Sequence, residues 1–204
     1  MNERSFICYA FMVTDKSNDK RTLIIEAAEK LIAESGFQGL SMQKVAKEAK
    51  VAAGTIYRYF EDKEHLLDEV RLHVVKRIAS SVQAGLRDDM SLKERYCTMW
   101  MNIWTLASSS STTLSSRVQY DSLPCAHNPE NRQLEREMFS KINELFEQGK
   151  EQGIFKPLEN PVLAGLSFET SVVLARKQSM GLYQLEGEAL RAAMEASWDA
   201  IINH

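Results

Sequence analysis

Between Gln38 and Lys63 the chain collects hydrogen-bonding and stacking side chains at short helical spacing. Thr55, Tyr57, Arg58 and Tyr59 run together, led by Ala53 and Gly54 and closed by Lys63. Hydroxyl, guanidinium, ammonium and phenol groups bond phosphate oxygens or base edges, and aromatic faces stack on bases. Small residues in the leading turn keep a helix slim enough for a major groove about 12 Å wide. Upstream, Ser41, Gln43 and Lys44 open a second short helix. There Gln43 suits a base edge and Lys44 a phosphate. The bland reading of all these residues is a solvated face with structural tyrosines. It stays open for Tyr59 as a partly core residue and for Arg58 as a solvent-facing one.

A second constellation is apolar. Tyr96, Trp100 and Trp104 lie four apart, with Met99, Met101 and Ile103 between them. Core packing is the ordinary meaning of such a stripe; lining for flat hydrophobic compounds is the other. Tyr120, Asp121, Phe168 and Glu169 are further ligand candidates. Glu169, among apolar neighbours, would pair with a cation, face solvent or bond an arginine.

Catalytic and metal chemistry find no footing. His65, His73, His127 and His204 are scattered, and no glycine-rich phosphate loop occurs. His65 shares a helix with Asp62 and Glu69, at positions better suited to solvent than to a metal. Cys8, Cys97 and Cys125 lack metal-ligand spacing and are odd in number, which fits a reducing compartment. Cys125 is read as an ordinary thiol, with redox sensing as the alternative. No cofactor, no metal and no catalytic residue are expected.

The elements that carry these side chains are helical throughout. Ile24, Ala27, Ala28, Leu31 and Ile32 make the inner face of a first helix that Gly36 ends. Ser41 caps a helix with Met42, Val45, Ala46 and Ala49 at core spacing, and Ile56 and Phe60 point the next one inward. Asp62 caps a long connector carrying Leu66, Leu67, Val70, Val74 and Ile78. Ser91 to Glu94 is a capping box that opens the aromatic helix. A short helix over about 112–120 and a loop over 121–129 follow. A single long helix is expected over 130–152, with Leu134, Met138, Ile142, Leu145 and Phe146 inward and Gly153 as its stop. Another should run from the Asn160 cap and Pro161 to about 178, and the last over 185–202. The fold class is all-α, with about nine helices.

The run G-T-I-Y-R-Y-F, then D-K-E-x-L-L, after an A-x-x-A-x-V helix, closely resembles the DNA-binding head of TetR/AcrR-type transcriptional regulators. About 50 residues from Asp19 into the fourth helix carry the likeness. The resemblance implies a three-helix head with a helix-turn-helix, a helical body with a small-molecule chamber, and DNA contacts through Thr55, Tyr57 and Lys63. One position departs: Lys50 stands where the turn often has Gly. A left-handed Lys50 would cost roughly 1–2 kcal/mol, so the turn is expected to adjust instead.

Charge supports the same division. The whole chain of 204 residues carries a net −3. From Gln38 to Lys63, five basic residues (Lys44, Lys47, Lys50, Arg58, Lys63) outnumber Glu48, Glu61 and Asp62. So modest a local excess implies few phosphate contacts per head, and hence a dimer. Small residues at 164, 167, 171 and 175, and at 189, 192 or 193, 196 and 200, would let the last two helices pack against a partner copy. Segment 1–17 is read as an arm, either extra or upstream of a start at Met12; 18–64 as the head; 65–204 as the ligand-binding and dimerisation body. The expectation is a cytoplasmic homodimeric repressor, with no membrane association, bound to a palindromic double-stranded DNA operator. A small hydrophobic or cationic inducer would release it, with efflux or detoxification genes as targets. The alternative is a DNA-organising protein with the same head and no inducer.

Overall fold

The computed structural model describes residues 16–108 and 129–204. Tyr120, Asp121, Cys8 and Cys125 lie outside the described residues, as does the helix expected over 112–120. Among the described residues the helices are α1 (Lys16–Ser35), α2 (Met42–Glu48), α3 (Ala53–Ile56), α4 (Lys63–Val82), α5 (Leu92–Ser108), α6 (Pro129–Met138), α7 (Ser140–Glu151), α8 (Asn160–Leu166), α9 (Phe168–Ser179) and α10 (Gly187–Asp199). One isolated antiparallel bridge, Phe155 to Ile202, ties the turn after α7 to the C-terminal end.

Two hydrophobic cores organise the chain. The head core gathers Ile24, Ile25, Ala28 and Ile32 of α1, Val45 of α2, Ile56 of α3 and Phe60 around Leu66, Val70 and Val74 of α4. The body core is built on α5, whose Tyr96, Met99, Trp100, Ile103 and Trp104 meet Leu145 and Phe146, Phe168 and Ala175, and Trp198. Thus α4 belongs to both: its first three turns close the head, Val82 enters the body, and Ile78 packs against each.

Local chemistry sets the helix ends. The Ser91 hydroxyl accepts the Glu94 N–H at 3.3 Å while the Glu94 carboxylate accepts the Ser91 N–H at 2.7 Å, completing the capping box. Gly153 ends α7 at φ 69, with Ile154 N–H bonded to Gly149 carbonyl at 2.9 Å. The expected adjustment at Lys50 does not occur. Lys50 sits at φ 54, and Val51 N–H reaches the Ala46 carbonyl at 2.9 Å. Both helices therefore end in the same left-handed motif, one through glycine and one through lysine. Lys50 keeps that geometry because the Val51 contact with the head core holds the turn.

Two long helices are each broken. Phe139 separates α6 from α7 and interrupts the register, so Leu145 and Phe146 are buried while Leu134, expected inside, is 44% exposed. At Ser167, φ −121 and ψ −74 separate α8 from α9. The small residues of that segment correct another expectation: Ser167, Ser171 and Ala175 are buried within the chain, not offered to a partner. They let α9 approach α5 closely. Beyond them, Gly149 stands where any Cβ would lie 2.0 Å from the Phe155 ring, so α7 needs glycine there.

Candidate nucleic-acid interface and ligand cavity

The polar residues of the head form one exposed face. The Ser41 hydroxyl caps α2 by accepting the Lys44 N–H at 3.3 Å, and the Lys44 ammonium reaches the Gly39 carbonyl at 2.8 Å. Ser41, Gln43, Lys44, Ala53, Gly54 and Arg58 are exposed, Thr55 and Tyr59 are half-buried, and Tyr57 is 57% exposed. Ile56 and Phe60 anchor this segment from beneath. Tyr59 packs partly on the head core, as its alternative reading allowed. Gly54 is informative: beyond its chain neighbours and its own helix backbone, a Cβ there would meet no described atom within 4 Å. Glycine in a helix costs about 0.5–1 kcal/mol relative to alanine, and this fold gains nothing from it in return.

Lys63 opens α4 behind Asp62, whose carboxylate accepts the His65 N–H at 2.8 Å. The His65 ring accepts the Glu61 N–H at 3.3 Å and meets Phe60 edge-on. His65 is thus engaged in ending one element and starting the next. Among the described residues, no group of three or more His, Cys, Asp or Glu could hold a metal ion.

Ion pairs fasten α4 to its neighbours on both sides. Toward the head, Arg21 of α1 pairs with Glu69 and lies 5.7 Å from the Phe60 ring, while Glu29 of α1 takes Arg77 in a two-pronged contact. Toward the body, Arg71 grips Glu135 of α6, with Nη2 to Oε2 at 3.1 Å. Side chains at 69 and 77 therefore hold α1, and the one at 71 holds α6.

Beside the Arg71–Glu135 pair lies a cavity of about 300 Å³. Val74, Val75, Ile78 and Val82 of α4 form one wall; Ile103 and Leu106 of α5, Phe139 and Ile142, and Ala164, Phe168, Glu169 and Val172 form the others. Two of the sequence candidates, Phe168 and Glu169, line it. Tyr96, Trp100 and Trp104 do not, which corrects their reading as pocket lining. They are 0%, 0% and 6% exposed. The rings pack on one another instead: Trp100 and Trp104 stack at 5.8 Å, and Tyr96 lies 5.0 Å from both Phe168 and Trp198. Burial pushes the Tyr96 phenol far above its usual pKa. The Ser167 and Ser197 hydroxyls lie near enough to soften that shift, but none forms a well-aligned hydrogen bond with it.

Sequence reasoning missed Arg71, Glu135 and the aliphatic walls. A signal existed for part of them: 71, 74, 75, 78 and 82 recur at helical spacing on α4. Nothing in the sequence says which faces of α4, α5, α6 and α9 leave a gap between them.

Comparison with known proteins agrees with this architecture. Residues 24–70 match the model for bacterial regulatory proteins of the tetR family, and residues 91–202 match that of the tetracyclin repressor-like C-terminal domain. An HTH-type transcriptional regulator of Haemophilus influenzae is 34% identical over 87% of this chain and 93% of its own. A solved TetR-family transcriptional regulator from Vibrio parahaemolyticus is 68% identical, covering 91% of this chain and 100% of that one, with a TM-score of 0.83. The regulator FadR of Bacillus subtilis, solved in complex with stearoyl-CoA, shares the fold at 22% identity and a TM-score of 0.63, over 88% of this chain and 97% of that one.

Proposed function

The chain belongs to the tetR family of helix-turn-helix transcriptional regulators, and from that premise we propose that it is a ligand-responsive repressor acting as a homodimer. The family and the relatives are regulators, not enzymes. Two α3 helices, one from each copy, enter successive major grooves of a palindromic operator in the cytoplasm. Tyr57, Thr55, Lys44 and Lys63 hold phosphates, Gln43 reads a base edge, and the bare Gly54 leaves room for the DNA backbone. The unused space above Gly54 supports this assignment. Residues 18–64 serve as the reading head and 65–204 as the ligand-binding and dimerising body.

The observation that carries ligand response is the cavity wall on α4. The helix whose Val74, Ile78 and Val82 face the cavity also carries Glu69 and Arg77, which are ion-paired to the head. A small hydrophobic or cationic molecule in the cavity shifts α4, and the two heads move apart on the operator. The shift is as large as the ligand's preference for the spread state. Dimerisation uses the outer faces of α9 and α10. Val173, Met180 and Leu182 are 50%, 72% and 64% exposed in one chain, and Ala189, Ala192 and Ala196 beside them are exposed too. Efflux or detoxification genes are the targets such a ligand implies.

A DNA-organising or global regulatory protein with the same head and no small-molecule inducer is the second reading, and the packed Trp100–Trp104 stripe favours it. The cavity beside that stripe weighs against it. An acyl-CoA ligand like that of FadR fits less well. Its polyanionic end needs cations, and Arg71, the one cation among the described lining residues, is already engaged with Glu135. The test is selection of bound genomic fragments, repeated with a compound library. Recovery of palindromes that some compounds release supports the reading. Equal affinity for a half-site and a full site removes the dimer, and release by no compound removes the ligand.

A further inference from the structure

Resting on that ligand-responsive reading, we propose that the cavity selects its ligand by charge: it takes a monovalent organic cation with an apolar body, held by Glu169 and Glu135, while Glu169 repels anions and Glu135 keeps Arg71 engaged. Among the described residues the cavity lining holds one guanidinium and two carboxylates, a formal balance of one negative charge. Arg71 and Glu135 cancel each other through a two-pronged contact, and each is only about a fifth exposed or less (21% and 17%). Glu169 has no hydrogen bond or ion pair among the described residues. Among the described lining residues it is therefore the one uncompensated charge. It stands at the exposed rim, next to the buried Phe168.

The geometry decides between ligand classes. An anion entering the cavity meets Glu169 directly, and can reach Arg71 only by displacing Glu135. Displacement would leave a half-buried carboxylate without its partner, which is costly. A cation meets Glu169 at no such cost, and its apolar tail covers Val74, Ile78, Ile103 and Val172. It can also share Glu135 with Arg71, since a carboxylate accepts from several directions. Such sharing weakens the hold of Arg71 on α6, so the group that selects the ligand is also the one that fastens α4 to the body.

Matched probes test this: decyltrimethylammonium, decanol and decyl sulfate, titrated into the full-length protein below their micelle concentrations, with and without operator. The wild type should bind the ammonium about fivefold or more tighter than the alcohol, with the sulfate weakest. The preference should shrink as salt rises, because the rim is screened. Glu169→Gln, which breaks no contact among the described residues, should erase the preference for ammonium over alcohol and leave alcohol binding unchanged. Glu135→Gln should raise sulfate affinity several-fold by removing the carboxylate charge paired with Arg71, and thermal melting shows whether that variant stays folded. Alcohol binding with no charge preference, or a preference untouched by Glu169→Gln, overturns the proposal while leaving ligand-responsive regulation standing. Binding of none of the three also overturns it. Release of operator by no compound at all, in the library selection, is the separate failure of the underlying reading.

Discussion

The head and the body treat their aromatic residues in opposite ways. In the head, Tyr57 stands in solvent above a core of Ile24, Ile32, Val45 and Ile56, with Phe60 as its one fully buried ring among the described residues. In the body, Tyr96, Trp100, Phe146, Phe155 and Trp198 are packed into one another, and the open space is lined mostly by aliphatic side chains. An aromatic ring is therefore no marker of a site in itself. Where a small aliphatic core already closes, rings are left over for a partner. Where several helices must be filled, rings are spent on filling them, and binding falls to whatever gap remains.

The widest separation between the two regions should come from truncating one ring in each. Trp100→Ala should destabilise the protein by about 3–5 kcal/mol, as large core truncations do. Tyr57→Ala should change stability by no more than about 0.5 kcal/mol, as exposed sites do, yet lose operator affinity. Thermal melting and operator titration on both variants give the comparison. If Tyr57→Ala melts as early as Trp100→Ala, the contrast is broken.

Finer substitutions sharpen the account of the head. Tyr57→Phe and Lys63→Ala should weaken binding to every sequence, and loss of one phosphate contact should reduce the salt slope by about one unit. Gln43→Ala should instead relax preference at one operator position. A uniform loss from Gln43→Ala would remove the distinction between holding and reading.

The two left-handed helix ends offer a smaller test. Lys50→Gly should stabilise the head by roughly 1 kcal/mol, because the glycine at the matching end of α7 meets no such strain. Equal melting of wild type and Lys50→Gly would show that the lysine turn is unstrained. The least effect is expected at the α5 cap. The Ser91 hydroxyl, then its N–H, holds the Glu94 carboxyl below its usual pKa. A depressed carboxylate contributes stability above its unfolded pKa and loses it as pH falls through the folded one. The melting difference between wild type and Glu94→Ala should therefore be present at pH 7 and fade in acid.

Much of this was legible in the sequence because it is local. The Ser41, Asp62 and Ser91 caps, the Gly36 and Gly153 stops and the buried pair Ile56 and Phe60 each depend on residues within a few positions. The head was legible for a further reason: the groups proposed to contact DNA sit on one short contiguous segment. The cavity was not, because Arg71, Glu135 and Glu169 come from three helices that only tertiary packing brings together. The stripe at 96, 100 and 104 misled because helical spacing shows that rings share a face, not what that face meets. The breaks at Phe139 and Ser167 were invisible for a similar reason, since neither residue is a Gly or Pro.

The central claim is that occupancy of the α4-walled cavity controls the head. Ala164→Phe tests it most directly, by placing a ring in the cavity without touching α1–α3. Operator affinity should be measured by fluorescence anisotropy, with and without the most effective compound from the library, on wild type and variant of confirmed folding. Both should bind operator alike, and only the wild type should be released. Release of Ala164→Phe at the same compound concentration as the wild type would contradict it.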